Sequence, residues 1–223
     1  MVSLDFSGTL TRWPLLAEAA VVTILLSAAA MALGMLIGLL GAAARLSPVR
    51  GLRGIARCYV ELIRNTPFLV QIYVIYFGLP SVGVHLSPLT AGLLSLSIYA
   101  GAYITEIVRA GMQSIDRGQI EAARALGLTG YRIVRHVVLK PALAAVYPSL
   151  TSQFILVMLA SSIVSTVSVP ELTGVANDIQ GLTFRSLEAY LVVAAIYIAL
   201  TALFKTLFAA VGHTSFAFRQ AAR

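Results

Sequence analysis

The chain has 223 residues, of which 59% are hydrophobic and 11% are charged. Because about a quarter of the residues of a soluble domain are charged, this composition excludes an ordinary water-soluble enzyme. The single cysteine, Cys58, excludes an intrachain disulfide and a cysteine-cluster metal site, and the net charge of +7 has to be interpreted by where the basic residues lie. The sequence therefore predicts an all-α integral membrane protein with a single domain, residues 1–223.

Five stretches are nearly uncharged and long enough for membrane-crossing helices, each of which needs about 20 apolar residues. The first lacks a basic n-region and is followed by four arginines, which favours a retained span over a signal peptide. Its Gly34 and Gly38 have the spacing that lets a second helix approach closely, although a glycine- and alanine-rich helix also contains such pairs by chance. The last is short, but Lys205 can snorkel and let the helix continue. The predicted spans are residues 19–44, 62–80, 86–109, 141–168 and 188–210.

The basic residues indicate which side of the membrane each connection faces. With five spans, thirteen of the sixteen lysines and arginines fall on one side, mostly after the first span and between the third and fourth. Arg12 and Arg185 fall on the other side, and Arg64 lies at the start of the second span. Connections rich in Lys and Arg stay in the cytoplasm. We therefore expect the N-terminus outside and the C-terminus, with Arg219 and Arg223, in the cytoplasm.

The longest cytoplasmic connection, residues 112–138, is rich in polar side chains. Asp116 is a suitable N-cap for a helix that ends at Gly127, and a second helical pattern begins near Tyr131. One interpretation is a solvated amphipathic loop whose arginines are attracted to anionic lipid headgroups. The other is a docking element, in which two small side chains allow close approach and a carboxylate faces a basic partner. The residues concerned are Glu121, Ala122 and Ala123.

This connection also carries a family resemblance. Its Glu121-Ala122-Ala123 triplet, followed by Gly127 and the apolar stretch 137–139, resembles the EAA loop of bacterial ABC importer permeases. Further blocks resemble the polar-amino-acid uptake subfamily, of the histidine/glutamine permease type. These blocks are residues 61–71, 76–80, 102–119 and 169–172. The ordered set covers about half of the chain.

The resemblance implies a type I ABC importer fold and a division of labour among subunits. The loop would form a coupling helix in a cleft of a separate ATPase, present in two copies, with Glu121, Ala122, Ala123 and Gly127 as the coupling residues. ATP and Mg²⁺ would bind to that partner, because this sequence has no glycine-rich phosphate loop followed by lysine. An extracytoplasmic solute-binding protein would deliver the substrate. We therefore expect a non-catalytic subunit of the bacterial inner membrane, in contact with the lipid bilayer and with no nucleic-acid partner.

The sequence departs from the resembled pattern at two places. Lys140 stands between Leu139 and Pro141, which shifts a helix-entry proline by one position. In the fourth span, Leu159-Ala160 occupies the place where many relatives carry a Lys-Asp pair. Since a zwitterion in the membrane needs polar partners, we expect a second, different permease subunit to supply most substrate contacts, so that a heterodimer is favoured over a homodimer. The alternative is a substrate handled by hydroxyl and backbone groups.

Two pairs of opposite charge lie near the cytoplasmic ends of the second and third spans. Glu61 precedes Arg64, and Glu106 precedes Arg109, each by three residues, which places both members on one helix face. They are interpreted either as self-neutralised pairs that make burial tolerable or as a cross-helix network at an inner gate. In the second interpretation, the ion pairs of this network would form and break during transport.

A few uncharged polar side chains within the spans are candidates for lining the substrate path. Serine and threonine also bond to the carbonyl four residues earlier in a helix, so packing is the alternative explanation. No metal-ligand spacing joins His85, His136 and His213, and no nucleophile–base set indicates catalysis. The candidates are Gln71, Gln153, Ser161 and Ser162.

Other functional classes fit the sequence less well. An ion-coupled secondary transporter of small polar solutes is the main alternative, but it would favour an internal repeat and carboxylates near the membrane midplane. The acidic residues here cluster at span ends. A scaffold protein would leave the 112–138 connection and the ordered blocks without a role. The leading prediction is therefore the permease subunit of an ATP-driven importer for a polar amino acid or related zwitterion.

Overall fold

The computed structural model describes residues 4–215 and is helical, without a strand, over that range. Four helices are long and apolar enough to cross a membrane, and one bent pair is a fifth candidate. The four are Trp13–Leu46, Pro88–Gln113, Pro141–Val167 and Ser186–Thr214, and the bent pair is Arg50–Arg64 with Phe68–Val82. The predicted all-α, multi-span class is confirmed. Arg219 and Arg223, which contributed to the predicted orientation, lie outside the described residues.

The α-helices are numbered in chain order. They are α1 (Ser7–Leu10), α2 (Trp13–Leu46), α3 (Arg50–Arg64), α4 (Phe68–Tyr73), α5 (Pro88–Gln113), α6 (Arg117–Ala125), α7 (Gly130–Arg132), α8 (Leu139–Ala160), α9 (Leu172–Thr183) and α10 (Ser186–Ser215). Wider π turns follow α4 and precede α8, and 3₁₀ turns cover Leu79–Val82 and Ser161–Val167. Of these elements, α2, α5, α8 and α10 are the long apolar helices.

Glycines bring α2 and α5 into close contact. A Cβ added at Gly34 would lie 2.6 Å from the Cβ of Ala100, and one added at Gly38 would collide with Ile104. Without these side chains the two backbones approach closely, which maximises van der Waals contact where lipid supplies no hydrophobic driving force. The Gly34–Gly38 spacing is therefore a packing feature of the fold.

The structure differs from the predicted second span at its start. Residue 62 lies within α3, and the axes of α3 and of the segment Phe68–Val82 differ by 108°. Pro67 causes the break, because it has no N–H to continue a helix and it disfavours helical backbone at Thr66. Pro67, which is the N-cap residue of α4, has an extended backbone with ψ of 138°. The predicted second span therefore consists of two helical segments, one before and one after the bend.

The connection 112–138 also differs in one respect. The first predicted helix is present as α6, but the pattern near Tyr131 does not form a separate short helix. Instead, α7 and the π turn Ile133–Val138 run directly into α8. The second helix is therefore the N-terminal extension of the fourth predicted span.

Two buried clusters hold the helices together. The larger one joins α2, α5 and α8, and it contains Leu26, Phe68, Leu96, Ile104 and Phe154 among others. The smaller one joins the start of α2 to α9 and α10. The outermost helix is α10, in which only 6% of the most apolar window is buried, and it contacts α8 through Phe204 and Phe208 against Phe154.

Candidate functional site

The ends of α6 are determined by local chemistry. The Asp116 side chain accepts a hydrogen bond from the N–H of Gly118 at 3.0 Å, which caps the helix start. At the other end Gly127 has a φ of +75°, the left-handed conformation that glycine adopts without steric cost. The N–H of Leu128 then bonds to the carbonyl of Ala123, and that of Gly127 to Arg124, as in a Schellman motif. The predicted cap and stop of this helix are confirmed.

The four predicted coupling residues divide between two faces of α6. Ala123 is buried, at 5% exposure, against the turns that lead into α8. Glu121, Ala122 and Gly127 are exposed. The buried alanine lets α6 lie flat on the body of the protein, while the exposed residues face outward. The cluster beneath α6 consists of Ala123, Ile133 and Val138, with Met112, Ile115, Ile120, Leu128 and Val137 around it.

Exposed apolar side chains next to these residues were not found by sequence reasoning. Leu126 is 81% exposed, Tyr131 70% and Val134 50%, although none of them lies in a long apolar helix that could face lipid. Contiguous exposed apolar side chains are typical of surfaces that contact another protein. The sequence shows an apolar residue directly before the stop at Gly127, but not whether its side chain is buried or exposed. We call Glu121, Ala122, Leu126, Gly127 and Tyr131 the α6 face.

A charge cluster lies at the end of α5. One carboxylate oxygen of Glu106 accepts from Arg109 at 2.7 Å, and the other accepts from Arg45 of α2 at 3.2 Å. The side chains are 16–27% exposed. The structure brings the predicted Glu106–Arg109 pair together and adds Arg45, which sequence reasoning missed because its contact joins positions 61 residues apart.

The other predicted charge pair is not formed. Glu61 accepts from Arg57, one turn earlier on α3, at 2.7 Å. Arg64 instead places its guanidinium 5.2 Å from the centroid of the Tyr103 ring on α5. The reason is that α3 ends at Arg64, so that this side chain points toward α5 rather than back along its own helix. The predicted Glu61–Arg64 pairing is corrected accordingly.

A cavity of about 410 Å³ lies beside this charge cluster, between α5 and α8. One polar wall comes from Tyr103 and Glu106, and Arg64 lies at the rim where α3 ends. A neighbouring cavity of about 390 Å³ extends toward Asp116 at the start of α6. The two share Ser114 and Ala145 in their walls. The two cavities are therefore neighbours, one beside the charge cluster and the other near the start of α6.

The predicted path residue Gln71 stabilises the bend between α3 and α4. Its side-chain amide donates to the carbonyl of Ile63 at 2.7 Å and to both the carbonyl and the hydroxyl of Thr66. These carbonyls would otherwise lose their partners at the break before Pro67. Its Oε1 atom is buried and unpaired within the described chain. The amide nitrogen of Gln71 is thus committed to the bend.

The other three predicted path residues lie on α8 and on the 3₁₀ turn that follows it. Gln153 is 4% exposed, and its Nε2 atom has no partner within residues 4–215. The hydroxyls of Ser161 and Ser162 each donate to a carbonyl three residues earlier, at 2.7 Å. Ser161 is buried and Ser162 is half-buried, and as consecutive residues of a 3₁₀ turn the two do not share one face. Their role in a substrate path stays a prediction.

A buried carboxylate organises the opposite end of the molecule. Glu171, fully buried, caps α9 by accepting from the N–H of Gly174 at 2.8 Å, and it accepts from the Tyr197 hydroxyl of α10 at 2.7 Å. The next residue, Leu172, donates its N–H to Thr23 of α2. Burial raises the pKa of the Glu171 carboxyl, and the bond from Tyr197 opposes that rise. One short segment therefore ties α2, α9 and α10 together.

With this geometry in view, the chain can be compared with known proteins. The family described as binding-protein-dependent transport system inner membrane component matches residues 30–214. The chain belongs to this family. The permease is 37% identical to the glutamine transport system permease protein GlnP of Escherichia coli K12, over 88% of this chain and 91% of that protein. It is also 37% identical to the probable glutamine ABC transporter permease protein GlnM of Bacillus subtilis, over 80% and 83%.

Solved structures agree with this assignment. An amino acid ABC transporter crystallised with histidines superimposes with a TM-score of 0.90 at 37% identity, covering 96% of this permease and all of that chain. The MetNI methionine ABC transporter, at 22% identity, shares the fold with a TM-score of 0.75. The fold of the permease is therefore that of type I ABC importers, as predicted. It is a multi-pass, non-catalytic inner-membrane component of a transport system.

Proposed function

We propose that this permease forms, with a second permease subunit, the translocation path of an ABC importer for a polar amino acid or a related zwitterion. Relatives named for glutamine and cystine transport and for nopaline transport support this substrate class. The observation that carries the proposal is the α6 face. It presents a carboxylate, a small residue and bare apolar side chains outward from a rigidly capped helix.

The α6 face suits insertion into a cleft of a separate ATPase. The Schellman turn and the buried Ala123 hold α6 against the extension of α8, so a push on α6 is transmitted to α8 without bending a flexible loop. Leu126 and Tyr131 would bury their apolar surface in the cleft, and Glu121 would pair with a basic residue there. In this arrangement two ATPase subunits bind ATP and Mg²⁺, and the permease itself holds no cofactor.

Two features of α8 and α10 support a heterodimer: a lack of polar groups in α8 and an uncovered surface on α10. Leu159, 40% exposed, and Ala160 offer no polar group to a zwitterion at the C-terminal end of α8. The outward face of α10 is almost entirely uncovered. A second permease chain with its own polar groups would supply the missing substrate contacts, as the sequence predicts.

The proposed orientation places α6 in the cytoplasm and α9 outside. With five spans, the side of the membrane that contains α6 carries thirteen of the sixteen lysines and arginines, and such connections stay in the cytoplasm. The buried clamp of Glu171 then holds α9 at the outer surface, where an extracytoplasmic solute-binding protein would dock to deliver its amino acid.

The test is affinity purification from native membranes in mild detergent, with mass spectrometry of the retained chains. We expect an ATPase subunit and a second permease chain, and ATP hydrolysis stimulated by the binding protein. Glu121→Arg should abolish recovery of the ATPase. The matched control is Asp178→Arg, the same charge reversal at an exposed site on α9, which should leave recovery unchanged.

Two outcomes would contradict the proposal. Equal ATPase recovery from both variants would remove α6 as the docking element. Recovery of the chain alone, with uptake that survives ATP depletion but stops when the ion gradient is abolished, would establish an ion-coupled secondary transporter instead.

A further inference from the structure

The cavity between α5 and α8 is lined by polar and apolar residues in about equal number. Four of its lining residues on α5 are spaced by three or four positions and therefore lie on one helix face. Ser149 lies on the opposite wall, which α8 contributes, and Arg64 closes the rim. At about 410 Å³ the space accommodates one free amino acid. The α5 residues concerned are Tyr103, Glu106, Ile107 and Ala110.

Arg64 is the cation of this cavity that is available to a ligand. Among residues 4–215, no carboxylate lies within ion-pair distance of its guanidinium, whereas Arg45, Arg57 and Arg109 each contact one. The guanidinium lies over the Tyr103 ring, 5.2 Å from its centroid. A guanidinium held over an aromatic face keeps its edge N–H groups free, and these form two parallel bonds to a carboxylate.

The charges around the cavity favour an anionic group. Both oxygens of Glu106 are already engaged by Arg45 and Arg109, so this carboxylate has little capacity left for a ligand ammonium. Arg45 and Arg109 neutralise Glu106 without lining the cavity, and Glu61, which lines a neighbouring cavity with Arg64, pairs with Arg57. Arg64 therefore gives the cavity an excess of positive charge. Low-dielectric walls strengthen the attraction of such an excess positive charge for an anion.

We propose that Arg64 binds the α-carboxylate of the transported amino acid in this cavity, as a site on the cytoplasmic side of the path. This inference rests on the proposed function, since it assumes that an amino acid passes through the permease. Tyr103 acts as a positioning residue that holds the guanidinium over its ring. The cavity adjoins the neighbouring one near the start of α6, so the bound substrate occupies the way out to the cytoplasm.

Uptake assays in proteoliposomes, with ATP in the lumen and the binding protein outside, use radiolabelled L-glutamine, L-histidine and L-cystine to identify the amino acid that the wild type transports. The binding experiment then uses the complete complex in nanodiscs, without nucleotide or binding protein. Equilibrium binding of that amino acid is then compared with binding of its decarboxylated counterpart, which is 4-aminobutanamide, histamine or cystamine. We expect the wild type to prefer the amino acid.

Substitutions at Arg64 test the carboxylate contact. We expect Arg64→Gln to weaken amino-acid binding about tenfold or more, since a charge-assisted bidentate contact is lost, and to abolish the preference over the decarboxylated probe. Arg64→Lys should recover part of it, and Tyr103→Leu should weaken binding by less than Arg64→Gln. The matched control is Arg53→Gln, an exposed arginine on the same helix outside the cavity, which should bind like the wild type.

The outcomes separate the two proposals. If the wild-type complex transports and binds none of the three amino acids, the proposed function fails and this site fails with it. If the wild type transports one of them with ATP hydrolysis, but Arg64→Gln and Arg53→Gln bind it equally, only the site is overturned. An equal loss of both probes in Arg64→Gln would also overturn it, because a general structural defect does not distinguish the carboxylate.

Discussion

Two of the long helices, α5 and α10, occupy opposite positions in the fold. In α5, 56% of the most apolar window is buried, whereas in α10 the share is 6%. Yet α10 is the more apolar, with a mean hydropathy of 2.2 against 1.4. Because lipid tails are as apolar as a protein core, hydropathy does not select the buried helix. Small residues do, and α5 is central because its Ala100 and Gly101 receive Gly34 and Ile37 of α2 at close distance.

The same comparison separates two kinds of surface. The inner helix is committed to its neighbours, so its polar and charged residues act on the fold and on the cavity beside it. The first part of the outer helix packs on α2 and α9 in the smaller buried cluster, and its later part contacts α8 through Phe204 and Phe208. Most of its surface is therefore available to lipid or to a second subunit.

The largest expected effect is on the α2–α5 contact. Gly38→Leu should destabilise the purified complex by about 3 kcal/mol, because the new side chain meets Ile104 and the two backbones must separate. Gly51→Leu in α3 should be tolerated, because an added Cβ there has no atom of another part of the protein within 4 Å. Thermal unfolding in detergent measures both, and equal melting temperatures would show that close packing does not stabilise α5.

A matched truncation compares the two helices directly. Ile104→Ala in α5 removes a fully buried side chain and should cost about 2 kcal/mol through the cavity that it leaves. Ile198→Ala in α10, 70% exposed, should cost less than about 0.5 kcal/mol. The same unfolding assay distinguishes them. A large cost at Ile198 would mean that a partner covers this face in the purified complex.

Removing the carboxylate of the charge cluster at the end of α5 should have a smaller effect on stability. It should have a clearer effect on the coupling of ATP hydrolysis to transport. Glu106→Gln leaves Arg45 and Arg109 without their carboxylate and should cost about 1 kcal/mol, since the pairs are partly exposed. The amount of substrate transported per ATP hydrolysed should change more than expression does. Glu61→Gln breaks an exposed pair and is the control. Parallel loss of transport and expression in Glu106→Gln would indicate misfolding alone.

The smallest effect is expected at Glu171 and depends on pH. Burial raises the pKa of this carboxyl, so its contribution to stability is complete below the unfolded pKa and is lost as pH rises through the folded pKa. The wild type should therefore lose stability from about pH 4.5 upward relative to Glu171→Gln, which stays neutral. Melting temperatures of the two proteins across pH 4.5–8 measure this difference, and parallel curves would contradict it.

Local features of the connection that contains α6 were predictable because they depend on neighbours in sequence. The cap at Asp116 and the left-handed Gly127 follow from residue types within one helical turn. The exposure of Leu126 was not predictable, because an apolar side chain before a helix stop is ordinarily buried. It depends on how α6 rests on the turns before α8.

Contacts between helices followed a different pattern. A three-residue spacing predicted Glu106 with Arg109 and also Glu61 with Arg64, and only the first pair forms. The spacing along a helix indicates only which side chains are close enough to form an ion pair. The end of α3 at the bend before Pro67 decides that Arg64 turns to Tyr103 instead.

The sequence by itself determined the membrane class, the helix α6 with its caps and the family, because hydropathy, capping chemistry and ordered motifs are properties of neighbouring residues. Only the tertiary structure decided that α5 is the inner helix and α10 the outer one, that Arg45 completes the charge cluster, and that Arg64 faces a cavity. These depend on contacts between distant positions, and in a membrane close packing of small residues governs such contacts more than hydrophobicity does.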